Sequence, residues 1–323
     1  MFYNNISDYL LFKNLTKALS VLLAISAFFW SIFYPDYSKN SEKVLSLPWL
    51  DEEYVPQGST YLKDENIYIS CGYMEDGTSS RLYMKGEDTE KRIILQRADG
   101  SEYAGHAGGV TAAGDYVYVS NAEKIFVLSK DALLSAADGD TVNFIGDVPV
   151  PCRSSFCSCD GEYLYVGEYH ADGYETDESH IMKTPDGTEY QALVFAYPIN
   201  PESEFGFDSS PAKAFSICDE VQGFAVTPDS RAVLSCSASL HNSKLKIYDI
   251  SGEADGTFTQ DGAEIPLYCL DSGRFSKQMT LPRMSEDAEC VDGRILLSFE
   301  AGAKKFYPEL IPFAVKKMVL VTV

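Results

Sequence analysis

Short runs of alternating hydrophobic residues, each closing on a small residue, recur five times along the chain. They are Ile67-Tyr68-Ile69-Ser70, Val117-Tyr118-Val119-Ser120, Leu164-Tyr165-Val166-Gly167, Val233-Leu234-Ser235 and Leu296-Leu297-Ser298. Alternation with period two marks a strand with one face turned to a core. Before each run lies a turn: Lys63 to Asn66, Ala113 to Asp115, Asp160-Gly161, Pro228 to Ser230 and Asp292-Gly293. Before each turn lies another strand-like stretch, starting near Gln57, His106, Arg153, Gln222 and Glu286. Third strands are expected at Arg81 to Met84, Lys124 to Leu128, Ala192 to Tyr197, Leu245 to Tyr248 and Phe313 to Val315. Outer strands are expected at Arg92 to Leu95, Val142 to Ile145, Lys213 to Ile217 and Gln278 to Leu281. Nine Asp-Gly dipeptides punctuate the pattern, and Asp-Gly between hydrophobic runs is a hairpin signal because glycine reaches positive φ without steric cost.

A strand-only unit of roughly 40–50 residues cannot bury a core alone, and its repetition predicts a ring. The fold class expected is therefore all-β, a five-bladed β-propeller over residues 55–323, closed by Met318 to Val323 with or without a strand at Lys43 to Pro48. The strand starts are spaced 49, 47, 69 and 64 residues apart, so blades three and four carry insertions that could alternatively hold a sixth blade. In this grammar the chain resembles the broad class of YVTN- or NHL-type propeller repeat proteins. That resemblance implies the fold and no particular activity.

The N-terminus breaks the pattern. Ala18 to Tyr34 is apolar apart from Ser20, Ser26 and Ser31, at the short limit of a membrane span. Lys13 and Lys17 precede it, so the positive-inside rule places residues 1–17 in the cytoplasm and the rest outside. Trp30 and Tyr34 suit the outer interface. The expected organisation is a cytoplasmic segment 1–17, a transmembrane helix 18–34 acting as an uncleaved anchor, a tether 35–54 and the propeller. Secretion after cleavage is the alternative.

Composition then narrows the partners. Net charge is −22, and beyond residue 34 the chain holds 24 cations against 47 anions. Such a surface repels nucleic acid, so no nucleic-acid partner is expected. The partners expected are the membrane, through the N-terminal helix, and an unidentified small-molecule or protein ligand.

Propeller topology places candidate chemistry. Entries to the innermost strand and exits from the second share one face of the ring, where loops from all blades converge. All four histidines, His106, His170, His180 and His241, map to that face, with Gln57, Gln222, Glu168 and Glu286 beside them. These eight are the candidate ligand-binding residues; Asp287, Glu289 and Glu300 accompany them. No metal is expected, since no compact ligand motif is present, and the cofactor is unknown. Cys152, Cys157 and Cys159 lack a fourth zinc ligand, and most of the eight cysteines read as buried free thiols, Cys71 and Cys236 occupying the same blade position. There is no nucleophile elbow, phosphate loop or dinucleotide fingerprint. The expectation is a membrane-tethered, extracytoplasmic binding or interaction module; the alternative is a hydrolase or lyase acting on a small polar or sugar-like substrate at the channel mouth.

Overall fold

The computed structural model describes residues 28–47, 49–309 and 311–323. Five β-sheets, each antiparallel through its inner strands, stand as blades around a central axis, so the chain is an all-β, five-bladed β-propeller. The innermost strands are Tyr54–Leu62, Gly109–Ala113, Phe156–Cys159, Val221–Thr227 and Ser285–Val291. Each pairs antiparallel with its neighbour: Ile67–Met74, Tyr116–Asn121, Tyr163–Gly167, Arg231–Cys236 and Arg294–Phe299. These are the five alternating runs of the sequence, and their inward positions form the inter-blade cores, with Ile69, Val119, Val166, Val233 and Leu297 fully buried. Asp292 and Gly293 both take positive φ, the backbone that a two-residue hairpin with right-handed strand twist requires.

The strands beyond the inner pairs depart from expectation in two places. Residues Thr141–Asn143 do not edge blade two. They pair parallel with the outer strand Glu90–Gln96 of blade one, and Gly146–Pro149 edges blade two instead. The third strand of blade five is Lys317–Val321 rather than the stretch around Phe313, whose φ of 59° breaks strand geometry. The last strand to complete that blade is N-terminal: Ser41–Ser46 pairs antiparallel with Lys317–Val321 and closes the ring. No sixth blade hides in the insertions. The hairpin Gly256–Gln260/Ala263–Cys269 returns to add two strands to the edge of blade three.

The expected anchor, 18–34, falls partly outside the described residues. Among the described residues no helix is long and apolar enough to cross a membrane. Tyr34 is not an interfacial ring; it is buried in the core between blades four and five, and its hydroxyl donates to Asn242 Oδ1 at 3.0 Å. Trp30 packs on Phe313 at 5.0 Å between ring centroids. The segment expected as a tether continues this packing through the short helix Pro35–Asn40, where Tyr37 is 1% exposed.

Candidate functional site

The innermost strands approach each other so closely that the channel is filled by backbone and small residues. A Cβ on Gly58 would strike the backbone of Gly109 and Val110, one on Gly109 the backbone of Phe156 and Cys157, and one on Gly223 the backbone of Asp287 and Ala288. Small residues at this level let successive blades touch. Just above it, three inner strands carry β-bulges, between Pro56 and Ser59, Val221 and Gly223, and Ser285 and Ala288. A bulge inserts an extra residue and re-aims a side chain. Gln57, Gln222 and Glu286 occupy these bulges, and all three line one cavity.

That cavity, of about 470 Å³, lies at the axis on the histidine-bearing face. Every blade contributes to it: Gln57 and Tyr73 from blade one, His106 and Asn121 from blade two, Arg153 and Tyr169 from blade three, Gln222 from blade four, and Glu286, Glu300 and Lys305 from blade five. The His106 ring stacks on Tyr73 at 5.0 Å, and Lys305 Nζ donates to the Tyr73 hydroxyl at 2.7 Å. Desolvation in this setting, helped by the Lys305 charge, pulls the His106 pKa below the ordinary imidazole value, so the ring is neutral near pH 7.

The floor is acidic. Glu286 is 2% exposed, and burial first, then the charge of Glu300, drives its carboxyl well above the usual range. Glu300 is pushed up to about 7 by burial, with the Gln57 Nε2 bond at 3.2 Å pulling the other way. Two carboxyls that share a hydrogen bond cannot both ionise cheaply, and Glu286 keeps the proton. Deeper lie Asp287 and Glu289, which the sequence placed on this face. Asp287 Oδ2 accepts from Val110 N at 3.3 Å, reaching from blade five to blade two. Glu289 accepts from Thr60 Oγ1 at 2.8 Å, from Thr111 Oγ1 at 2.9 Å and from Cys159 N at 3.4 Å, joining its own blade to the first three. Both are structural ties beneath the cavity rather than part of its wall.

The remaining candidates separate. Glu168 and His180 form a buried pair, with His180 Nδ1 2.7 Å from Glu168 Oε1 and Leu193 N donating to the same oxygen at 3.1 Å. They line a neighbouring cleft of about 460 Å³ between blades two and three, not the axial cavity; Arg153 borders both. His170 faces Asp219 at 3.0 Å and Glu175 at 3.6 Å. His241 is exposed on a loop and lines neither space. The sequence missed Tyr73, Asn121, Arg153 and Lys305. Only Arg153 had a usable signal, its place at the start of an innermost strand.

A larger hollow, about 610 Å³, opens on the opposite face among the turns of blades three to five. Three of its charged groups are already engaged: Asp160 accepts from Tyr165 OH at 2.7 Å, Asp292 pairs with Lys63, and Lys213 Nζ sits 4.1 Å over the Tyr163 ring. The axial cavity differs in holding carboxyls that its own surroundings leave under-compensated. All eight cysteines are free, and among the described residues no three His, Cys, Asp or Glu side chains gather in a metal-binding arrangement. Cys152 and Cys157 face separate carbonyls, of Val166 and Tyr118.

No protein-family model matches the sequence, and no match to a curated protein reaches significance. Among solved structures the chain is similar to a hydrazine synthase chain of Kuenenia stuttgartiensis, at 14% identity and TM-score 0.38, over 76% of this chain. It spans only 55% of that chain's length. It is similar to the PQQ-bound aldose sugar dehydrogenase of Streptomyces coelicolor at 13% identity and TM-score 0.44, over 80% of this chain and 78% of the other. It is similar to the calcium-binding protein regucalcin of Agrobacterium tumefaciens at 9% identity and TM-score 0.44, over 87% and 94%. Likenesses this distant carry no functional argument; the propeller rests on the strand pairing itself.

Proposed function

We propose that the protein is a binding module that takes a small polar, hydroxyl- or amide-bearing ligand in the axial cavity. One observation carries this reading: polar side chains from all five blades converge on a single space of about 470 Å³. Gln57, Gln222, Asn121 and neutral His106 offer both donors and acceptors, while Tyr73 and Tyr169 supply flat apolar walls of the kind small-molecule sites use. The test is calorimetric titration and thermal shift of the full chain against a panel of monosaccharides, polyols and amino-acid amides. A binder should lose its affinity in His106→Ala and Glu300→Gln. Equal binding by both variants would place the ligand elsewhere.

The Glu286–Glu300 pair supports a second reading, hydrolysis or elimination on a small polar or sugar-like substrate. A protonated Glu286 beside a Glu300 with a pKa of about 7 is suited to give and take protons at neutral pH. In that case Glu286→Gln should abolish turnover of a ligand found in the screen while leaving its binding within about threefold. Unchanged turnover would leave the binding reading alone.

We further propose, on the repeat grammar, that the chain belongs with the YVTN- or NHL-type repeats. The apolar run from Ala18 with Lys13 and Lys17 before it supports a tether that leaves the propeller outside the cytoplasm. Protease added to intact cells should then remove residues 55–323; their protection would overturn that topology.

A further inference from the structure

We propose that Cys218 and Cys236 form a peroxide-reactive dithiol site, in which a hydroperoxide oxidises Cys218 and Cys236 then closes a disulfide linking blade three to blade four. Cys218 directly follows the strand Lys213–Ile217 of blade three, and Cys236 ends the strand Arg231–Cys236 of blade four. Their sulfurs stand 3.9 Å apart. A disulfide needs about 2.05 Å, so the two sulfurs must approach by about 1.8 Å to bond. The third partner is Lys246 on the neighbouring strand Lys244–Asp249, whose Nζ donates to Cys218 Sγ at 3.1 Å.

The two thiols are not equivalent. With Cys218 ionised, the Cys236 thiol donates to it, and this bond most strongly favours the Cys218 thiolate; burial opposes it and the Lys246 ammonium adds to it. The balance holds the Cys218 pKa at about 6, whereas its neighbour and burial drive Cys236 well above the ordinary thiol value. Burial works against the Lys246 charge, yet the two sulfurs outweigh it and push the amine up to about 12. Asp219, Glu220, Tyr190 and Tyr248 complete the ionisable surroundings. The remaining cysteines with shifted pKa values move upward, so the pair stands apart in holding a thiolate at neutral pH. Cys218 is buried, at 8% exposure, which favours a small oxidant over a protein one.

The chemistry balances. The Cys218 thiolate attacks one oxygen of hydrogen peroxide, the O–O bond breaks, and the leaving hydroxide takes from solvent the proton that Cys218 released on ionising, giving water. Cys218 is then a sulfenic acid, oxidised by two electrons. Cys236 gives up its proton and attacks that sulfur, the S–S bond forms, the S–O bond breaks, and the departing hydroxide takes the proton as a second water.

The experiment treats the purified, fully reduced chain with hydrogen peroxide, unfolds it in denaturant with iodoacetamide, and maps tryptic peptides without reduction. Lys213, Arg231 and Lys244 are cleavage sites, so the two cysteines fall in different peptides, 214–231 and 232–244. The expected result is loss of about 2 Da. Six alkylated cysteines of eight and a 214–231/232–244 cross-link should accompany it, all reversed by dithiothreitol. Full alkylation of all eight cysteines, or a bridge mapped to another pair, overturns the proposal. In Cys236→Ser the same treatment should leave a dimedone-trappable sulfenic acid on Cys218; its absence in folded variant protein also counts against the proposal.

Discussion

Glu289 shows how one side chain can set the pH response of the whole molecule. Burial keeps it protonated in the folded state to about pH 8, against 4.5 for an ordinary glutamate, even though the Thr60, Thr111 and Cys159 bonds pull the other way. Between those values the folded chain holds a proton that the unfolded chain has released, so stability falls as pH rises through the window. Glu300, at about 7, and Glu286 and Asp287, both shifted upward, have the same sign. The melting temperature should therefore be higher at pH 5 than at pH 8. Glu289→Gln, which mimics the protonated form, should shrink that difference; a melting temperature that rises from pH 5 to 8 would contradict the burial of these groups. His106 is a different kind of residue, stacked on one side and open on the other, and His106→Ala should cost no more than about 1 kcal/mol by chemical denaturation. At this scale the sequence was partly legible. Gln57 and Gln222 could be aligned because each precedes a glycine at a blade contact. That Glu289 is a tie and Glu286 a wall residue was not legible, because strand alternation says nothing of which blade stands opposite or where a bulge shifts the phase.

Elements were legible where their signal is local. Inner and second strands follow from alternation and turn chemistry, and all five pairs lie where the pattern puts them. Edge strands are short and half-exposed, so packing against a neighbouring blade decides where they go. Thr141–Asn143 has the pattern of a blade-two strand, yet its best partner is the free parallel edge of blade one. The closing strand Ser41–Ser46 was visible only as a weak run. Its value is clear in three dimensions: it covers the edge of Lys317–Val321, and Tyr34 and Tyr37 just before it fill the core between blades four and five. An open strand edge also invites pairing with another chain. A fragment starting at residue 47 should thus melt lower than one starting at residue 28 and self-associate more readily, as thermal unfolding and sedimentation will read. Equal melting temperatures would mean that the ring closes without its N-terminal strand.

For the molecule as a whole, closure is the property that no single repeat encodes. Most repeat arrays couple only neighbours, so end units can be lost with partial retention of the rest. This ring is tied differently. Blade five sends Asp287 to Val110 of blade two and Glu289 to Thr60, Thr111 and Cys159 of blades one to three. Gly223 of blade four packs against its backbone at Asp287 and Ala288. Deleting residues 286–323 therefore removes contacts from all four other blades and leaves two raw sheet faces, at blades one and four. It also strands the Thr60 and Thr111 hydroxyls, now without an acceptor, in the interior; each buried polar group left unpaired costs about 1–3 kcal/mol. Those losses are comparable to the whole stability of an ordinary domain, about 5–15 kcal/mol. The shortened chain should show no cooperative denaturant transition and no dispersed amide spectrum. A cooperatively folding four-blade fragment would show instead that the carboxyl ties are dispensable and that nearest-neighbour packing alone holds the blades.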